Sequence, residues 1–221
     1  MQKVLDDYVK ALGGQAALDV VKTRIIRTAT LARASAADSY DEISQMAPGK
    51  VLRFHKSGSY SITTGYDGHE AWSEDSSKTY WGMLNTSQLH ATMRDSEMYA
   101  GSRIKNEYKN VSVTGKEKVG DRETFVISGM SPEGAREKFY FDAGSGFLLR
   151  RHIEEPTEFG WFPMDMNFEG YREVDGVRIL FVVRLSSAGG AWGVRTSYMI
   201  VELRQNVPIQ DEKFERPRAA K

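Results

Sequence analysis

The amino-acid sequence predicts a mainly β (α+β) protein: one highly curved antiparallel sheet, or an incomplete β-barrel, with helices covering its open side. From Thr23 onward, apolar and polar residues alternate over much of the chain, the pattern of half-buried strands. Turns that pair glycine with aspartate, as in YDGHEAW and EVDGVRI, separate these runs and are typical of hairpins. The longest runs lie late in the chain: MDMNFEGYREV, VRILFVVRLSS and GVRTSYMIVELRQ. Each predicts a strand of roughly 30 Å or more, and long adjacent strands favour strong curvature.

The first 22 residues predict helices. Val4, Leu5, Tyr8, Val9 and Leu12 recur at helical spacing, and the Gly13-Gly14 pair that follows is a typical helix end. The next segment, QAALDVVKT, predicts a second short helix. The chain is therefore expected to place one helix or a helix pair before its first strand.

A third helix is predicted within the strand region, near residues 87–99. Thr86 or Ser87 can cap it, and Leu89, Met93 and Met98 fall near one helical face. We assign the sheet to residues 23–206 and a C-terminal tail to residues 207–221. No linker or repeat divides the chain, so we predict a single domain over residues 1–221.

Two turns carry specific expectations. In KFYFDAGSGFLLRRH, the side chains of Phe139, Phe141, Phe147 and Leu149 are expected to face the interior, with Arg150 or Arg151 at a rim. In EVDGVRI, the Asp175-Gly176 pair is expected to form a tight turn between two strands.

The charge balance gives no electrostatic signal for a partner. Lys and Arg number 30, as do Asp and Glu, so the formal net charge is zero and does not favour nucleic acid. The sequence contains no cysteine, which excludes disulfides, thiolate metal sites, c-type haem attachment and a cysteine nucleophile. No stretch approaches the roughly 20 apolar residues of a transmembrane helix.

The sequence carries no local catalytic signature. It lacks a nucleophile elbow, a zinc-protease motif, a P-loop and a dinucleotide-binding glycine motif. The four histidines, His55, His69, His90 and His152, are dispersed and show no metal-binding spacing. We therefore predict no catalytic residue, no metal site and no cofactor.

Aromatic residues are abundant in the predicted strands, with 4 Trp, 10 Tyr and 10 Phe in the chain. Their ordinary role is to pack a core between sheet and helices, but a curved sheet under helices also forms an apolar concavity. The 9 methionines would add adaptable apolar surface to it. The candidate ligand-binding residues are Phe54, Trp72, Trp81, Phe125, Phe141, Phe168, Tyr171 and Tyr198.

Five segments together resemble a bacterial family related to the outer-membrane lipoprotein-sorting proteins. They are LDDYVKALGGQAAL, GYDGHEAW, REKFYFDAGSGFLLRR, YREVDGVRI and NVPIQDEKFERP, in this order along nearly the whole chain. Such domains are similar to the periplasmic lipoprotein carriers LolA and LolB. The resemblance implies an incomplete antiparallel β-barrel whose helices cover a hydrophobic cavity, and it implies fold-forming rather than catalytic roles for these motifs.

The resemblance implies a non-catalytic periplasmic binding or carrier protein of the bacterial cell envelope, which transports a lipid, an acyl chain or a lipoprotein. The alternative is an interaction or accessory domain of an envelope or c-type cytochrome assembly, since similar regions occur beside c-type haem domains. An enzyme of unknown class is the third possibility. The segment MQKVLDDYVKALGG contains no apolar run of signal-peptide length. We therefore expect a periplasmic protein whose export signal is not part of this sequence, or else a cytoplasmic one.

Overall fold

The computed structural model describes residues 1–30, 39–76, 86–158, 160–187 and 195–217. In these ranges the helices are α1 (Gln2–Ala11), α2 (Gln15–Val20), α3 (Thr86–Asp95) and α4 (Ile104–Glu107), with a 3-10 helix at Asp211–Phe214. The strands are β1 (Thr23–Thr30), β2 (Ser39–Met46), β3 (Lys50–Ser57), β4 (Tyr60–Tyr66), β5 (Ala71–Asp75), β6 (Lys109–Val119), β7 (Arg122–Met130), β8 (Arg136–Asp142), β9 (Leu148–Thr157), β10 (Gly160–Glu169), β11 (Arg172–Val174), β12 (Val177–Ile179), β13 (Val182–Ser187) and β14 (Arg195–Gln205).

Within the described ranges, 12 of the strands form one antiparallel sheet, and β11 and β12 form a separate hairpin. The strand order in the sheet is β5-β4-β3-β2-β1-β14-β13-β10-β9-β8-β7-β6. Consecutive strands are mostly neighbours, as the hairpin turns predict. The predicted fold class, a mainly β protein with an antiparallel sheet and few helices, is confirmed.

The chain divides into two compact units. Unit 1 contains residues 1–20 and 99–198, and unit 2 contains residues 21–98 and 199–221. The single domain over residues 1–221 stays a prediction.

Unit 1 has a filled core beneath α1. Leu5 and Tyr8 of this helix and Leu12 directly after it are buried, and the ring of Tyr8 lies 5.2 Å from the ring of Phe141 on β8. The Tyr8 hydroxyl donates a hydrogen bond to the carbonyl of Ala100 over 2.7 Å. Other fully buried side chains of this core are Ile127, Phe139, Leu148 and Ile153. The predicted N-terminal helix pair is confirmed, and its apolar face is part of the core.

In unit 2, other elements pack against both faces of the strands. The register pairs Arg53, Thr64 and Ser73 on one face, and α3 packs against β3 and β4 on that side. The adjacent residues Leu52, Gly65 and Trp72 pair on the opposite face. This second face is covered by the segment that contains the 3-10 helix.

The segment assigned as a C-terminal tail, residues 207–221, is packed as far as Phe214. Phe214 is fully buried, and its carbonyl accepts a hydrogen bond from the indole nitrogen of Trp72 over 2.9 Å. Lys213 donates to the hydroxyl of Ser44 over 3.0 Å, and Asp211 pairs with Lys50 over 2.6 Å. Phe214 is the one aromatic residue in the charge-rich segment DEKFERP, and it is the residue that packs into the core. The charges around it favour the prediction of an exposed tail.

Two of the three long strand runs are interrupted. MDMNFEGYREV is divided into β10 and β11 because Gly170 takes a φ of 67°, outside the extended region. VRILFVVRLSS is divided into β12 and β13, and the amide of Phe181 between them donates to the carbonyl of Glu169 over 3.2 Å. The third run is confirmed, since β14 contains 11 residues.

The predicted helix near residues 87–99 is present, but it ends earlier, at Asp95. The Ser96 hydroxyl donates to the carbonyl of Met93 over 2.7 Å, which is a typical helix-end contact. The carbonyl of Met98 instead accepts a hydrogen bond from the Arg24 guanidinium over 2.7 Å. Met98 therefore does not share the helical face of Leu89 and Met93.

The tight turn predicted at Asp175-Gly176 is confirmed. Both residues have positive φ, 50° and 78°, and Val174 pairs with Val177 across the turn. Two consecutive positive φ angles are typical of the hairpin turn whose twist matches that of the strands.

Replacing Gly176 with valine is expected to lower the free energy of unfolding by about 1–3 kcal/mol, because a β-branched residue fits a positive φ poorly. Chemical denaturation measures the effect. Gly144→Val is the matched control, since Gly144 is exposed and a Cβ there meets only the Asp142 carboxylate at 3.6 Å. Equal stabilities for Gly176→Val and the unsubstituted protein would show that the turn geometry is wrong.

Candidate functional site

An apolar strip lies on one face of β10 and β13 in unit 1. On β10, apolar residues occupy every second position from Phe162 to Phe168, and two of them pair with apolar residues of β13: Met166 with Leu185 and Phe168 with Val183. Because side chains alternate between the two faces of a strand, these residues share a face. The apolar strip consists of Phe162, Met164, Met166, Phe168, Val183 and Leu185.

The register joins the apolar strip to the buried core of unit 1. Met164 pairs with Ile153, and Met166 pairs with Arg151, so the strip continues the face of β9 that is buried. The residues between them, Asp165 and Asn167, lie on the opposite face, where they accept hydrogen bonds or ion pairs from β9. The two faces of β10 therefore differ sharply in polarity.

The exposure of the strip decreases along β10 from its first residues to its last. Phe168 is 4% exposed, Met166 and Met164 are half-buried, and Phe162 is 43% exposed. On β13, Val183 and Leu185 are also half-buried. Apolar side chains on the face that carries a core are normally covered, so this strip is surface available to an apolar ligand.

A buried ion pair borders the strip. The Arg151 Nε atom lies 2.6 Å from a Glu137 carboxylate oxygen, and both side chains are at most 3% exposed. The Tyr108 hydroxyl accepts a hydrogen bond from Arg151 over 2.8 Å and donates one to the same Glu137 oxygen over 3.0 Å. Of the two arginines predicted to mark a rim, Arg150 or Arg151, Arg151 does not, since it lies inside the core with its guanidinium 5.2 Å from the Phe139 ring centre.

Three of the predicted ligand-binding residues lie on the inner face of the unit 1 sheet. Phe125 pairs with Phe141 across β7 and β8, and Phe168 belongs to the apolar strip. Phe125 and Phe141 line a cleft of about 740 Å³ beside α1. Charged residues of α1, such as Lys3 and Lys10, form part of its wall, so the cleft is more polar than the strip.

Tyr171 and Tyr198 do not join these three residues. The Tyr171 ring stacks on Phe147 with centroids 4.3 Å apart, and its hydroxyl donates to the carbonyl of Leu148 over 2.9 Å. Burial raises the pKa of Tyr171 far above its usual range, so the hydroxyl stays protonated. Tyr198 is half-buried on β14.

The remaining candidates belong to unit 2 or lie outside the described residues. Trp72 is 4% exposed and lies on the face covered by the 3-10 helix, not on the face covered by α3. Phe54 is half-buried on the same face as Trp72, with its ring 6.2 Å from that of Tyr40. Trp81 lies outside the described residues.

A polar network occupies the α3 side of unit 2. The Asp41 carboxylate is 1% exposed and contacts the Arg53 Nε atom at 3.0 Å and the His55 Nδ1 atom at 2.9 Å. Arg53 also pairs with Asp95 of α3 over 3.0 Å. Burial raises the pKa of Asp41, but Arg53 and His55 outweigh burial and hold that pKa below its usual range. Asp41 is thus held as a carboxylate that links β2 to β3, and Arg53 extends the network to α3.

Within the described ranges, no three His, Asp or Glu side chains group as metal ligands do. No helix in those ranges is both long enough and apolar enough to cross a membrane. The site that the geometry supports best is the apolar strip, because its half-buried apolar side chains continue the buried face of β9.

Sequence reasoning identified Phe168 but missed the other five strip residues. The signal was present in FPMDMNF, where apolar residues alternate strictly with Pro163, Asp165 and Asn167. The strand register is needed to place these residues on one face, and methionine, valine and leucine carry no distinctive signal without it.

Comparison with solved structures shows a LolA-like fold. A LolA superfamily protein from Nitrosomonas europaea superposes with a TM-score of 0.65 at 10% identity, covering 97% of each chain. A DUF1329 family protein from Desulfovibrio piger gives a TM-score of 0.61 at 12% identity, covering 97% of this chain and 96% of the other. A domain named for outer membrane lipoprotein sorting, from Vibrio parahaemolyticus, gives 0.59 at 8% identity, covering 96% and 94%.

No protein-family model matches the chain, and no curated protein matches it significantly. The resemblance to the lipoprotein-sorting proteins, stated from sequence motifs, is thus confirmed as a shared fold. At such low identities the fold alone is shared, and function has to be argued from the site.

Proposed function

We propose that this protein is a non-catalytic periplasmic binding or carrier protein for a hydrophobic ligand: a lipid, an acyl chain or a lipoprotein. The observation that carries the proposal is the half-exposed apolar strip on the inner face of β10 and β13. The LolA-like fold supports it, because a domain named for outer membrane lipoprotein sorting shares that fold.

The strip has the chemistry that an acyl chain requires. Its two methionines are flexible and polarisable, so they can adapt to chains of different length and branching. Each methylene group removed from water contributes about 0.8 kcal/mol, so a long chain can bind without a charged anchor. With a net charge of zero, binding is expected to depend only weakly on salt.

Among the predicted ligand-binding residues, Phe168 is the one that is proposed to contact the ligand on the apolar strip. Phe125 and Phe141 are proposed as the wall of the neighbouring cleft, where the charged residues of α1 suit the polar end of an amphipathic ligand. Trp72 packs against the C-terminal segment of unit 2, and Phe54 lies beside Tyr40, so neither is proposed to contact the same ligand.

A second candidate is an interaction or accessory domain of a cell-envelope or c-type cytochrome assembly. One observation favours it: Trp161 and Phe162, adjacent at the start of β10, are 42% and 43% exposed. Exposed aromatic residues are typical of protein interfaces. Under this alternative the strip would be covered by a partner protein and would bind no acyl chain.

Met166→Asp is expected to weaken the binding of a fluorescent acyl probe about tenfold or more, because it places a carboxylate on the strip. Asn167→Asp is the matched control, since it adds the same charge one residue away on the opposite face and keeps an acceptor for Arg150. Fluorescence titration with competition by unlabelled fatty acid measures both affinities. Absence of saturable, competable binding to the unsubstituted protein would reject the carrier function and favour the accessory domain.

A further inference from the structure

A separate small cavity lies in unit 2, between α3 and the face of β3, β4 and β5 that this helix covers. Its volume is about 140 Å³. Four residues of α3 line it at spacings of three and four, Gln88, Ala91, Thr92 and Asp95, so they share one helical face. The opposite wall consists of Val51, Arg53, Ile62, Thr64 and Ser73.

One polar group in this cavity has no partner. The hydroxyl of Ser73 is buried without a hydrogen bond in the described part of the chain, and the residue is 2% exposed. Ser73 pairs with Thr64 on the α3 side of the sheet, which directs its side chain to the cavity. A buried hydroxyl without a partner is costly, and a ligand that hydrogen-bonds to it would remove that cost.

Three other polar side chains at the cavity, those of Thr92, Arg53 and Asp95, are already engaged. The Thr92 hydroxyl donates to the carbonyl of Gln88 over 2.9 Å, and Arg53 pairs with Asp95 over 3.0 Å. The charges of Arg53 and Asp95 therefore offset each other, so neither side chain favours a charged ligand. Val51, Ile62 and Ala91 supply apolar contact.

We propose that this cavity binds a small neutral aromatic alcohol of the phenol class, with its hydroxyl group on Ser73. An interior cavity of roughly 150 Å³ accommodates a benzene ring, so the volume fits one six-membered ring. The ring contacts Val51, Ile62 and Ala91, and the ligand hydroxyl exchanges a hydrogen bond with Ser73. This site is independent of the apolar strip and of the proposed carrier function.

The test uses 4-fluorophenol and fluorobenzene as probes, observed by fluorine NMR with the whole protein. We expect saturable binding of 4-fluorophenol and several-fold weaker binding of fluorobenzene. Ser73→Ala is expected to weaken 4-fluorophenol binding roughly three- to tenfold, the effect of one neutral hydrogen bond, and to leave fluorobenzene unchanged. Equal binding of both probes, or no effect of Ser73→Ala, would overturn the proposed ligand class.

The location of the binding site is tested by filling the cavity with a larger side chain. Ala91→Leu is expected to abolish binding of 4-fluorophenol, whereas Ala16→Leu, at an exposed position of α2, should leave it unchanged. If Ala91→Leu does not fold, methyl NMR of the unsubstituted protein replaces it, and 4-fluorophenol should shift the signals of Val51, Ile62 and Ala91. No saturable binding, or shifts confined to other residues, would overturn the proposal, whatever the acyl-probe titration shows.

Discussion

Replacing Arg151 with methionine is expected to lower the free energy of unfolding by about 3–5 kcal/mol, because it leaves the buried Glu137 carboxylate without its charged partner. Glu137 is fully buried, and its second carboxylate oxygen already has no hydrogen bond within the described residues. In a chain of this size such a loss lowers the Tm by roughly 6–20 °C. Thermal and chemical denaturation measure the change.

Arg150→Met is the matched control for this prediction. Arg150 is the neighbouring residue on β9, half-buried on the opposite face, and its Nε atom donates to Asn167 over 2.7 Å. Loss of that hydrogen bond is expected to cost about 1 kcal/mol. The double variant Arg151→Met/Glu137→Leu should recover most of the stability, since an apolar pair can replace a buried ion pair. Similar losses for Arg150→Met and Arg151→Met would contradict the role assigned to the pair.

Phe214→Ala is expected to cost about 3–5 kcal/mol, because it removes a fully buried ring and leaves a cavity beside Trp72. The Phe214 side chain has no exposed surface, and the backbone of the same residue holds the Trp72 indole nitrogen. Tryptophan fluorescence during denaturation should report both the lower stability and an altered environment of Trp72.

The control for this change is Phe162→Ala, the same substitution at a residue that is 43% exposed. Its expected cost is below about 1 kcal/mol, since little buried surface is lost. An equally small effect of Phe214→Ala would mean that the C-terminal segment contributes no core and behaves as the predicted tail.

The hairpins and N-terminal helices could be predicted from the sequence because their signals are local. The Asp175-Gly176 pair is typical of a turn with positive φ at both positions, which the structure has. The Gly13-Gly14 pair marks the end of the first helical pattern. The early end of α3 is less visible in the sequence, because the residues after it make long-range contacts such as the hydrogen bond from Arg24 to the carbonyl of Met98. The burial of Phe214 likewise depends on Trp72, 142 positions away along the chain.

The candidate site was less predictable than the fold. Aromatic content pointed to an apolar surface, but Trp72 and Phe141 pack into cores, as most aromatic residues do. Met164 and Met166 belong to a half-buried apolar strip only because β10 pairs with β9 in one register and not another. A shift of one residue would direct Asp165 and Asn167 to that face instead.

The most direct test of the central claim, that the strip binds a hydrophobic ligand, is photo-crosslinking with a diazirine-labelled fatty acid, followed by peptide mapping. The expected adducts lie on Gly160–Glu169 and Val182–Ser187, and excess unlabelled fatty acid should suppress them. Adducts that map elsewhere, or that persist under competition, would contradict the claim.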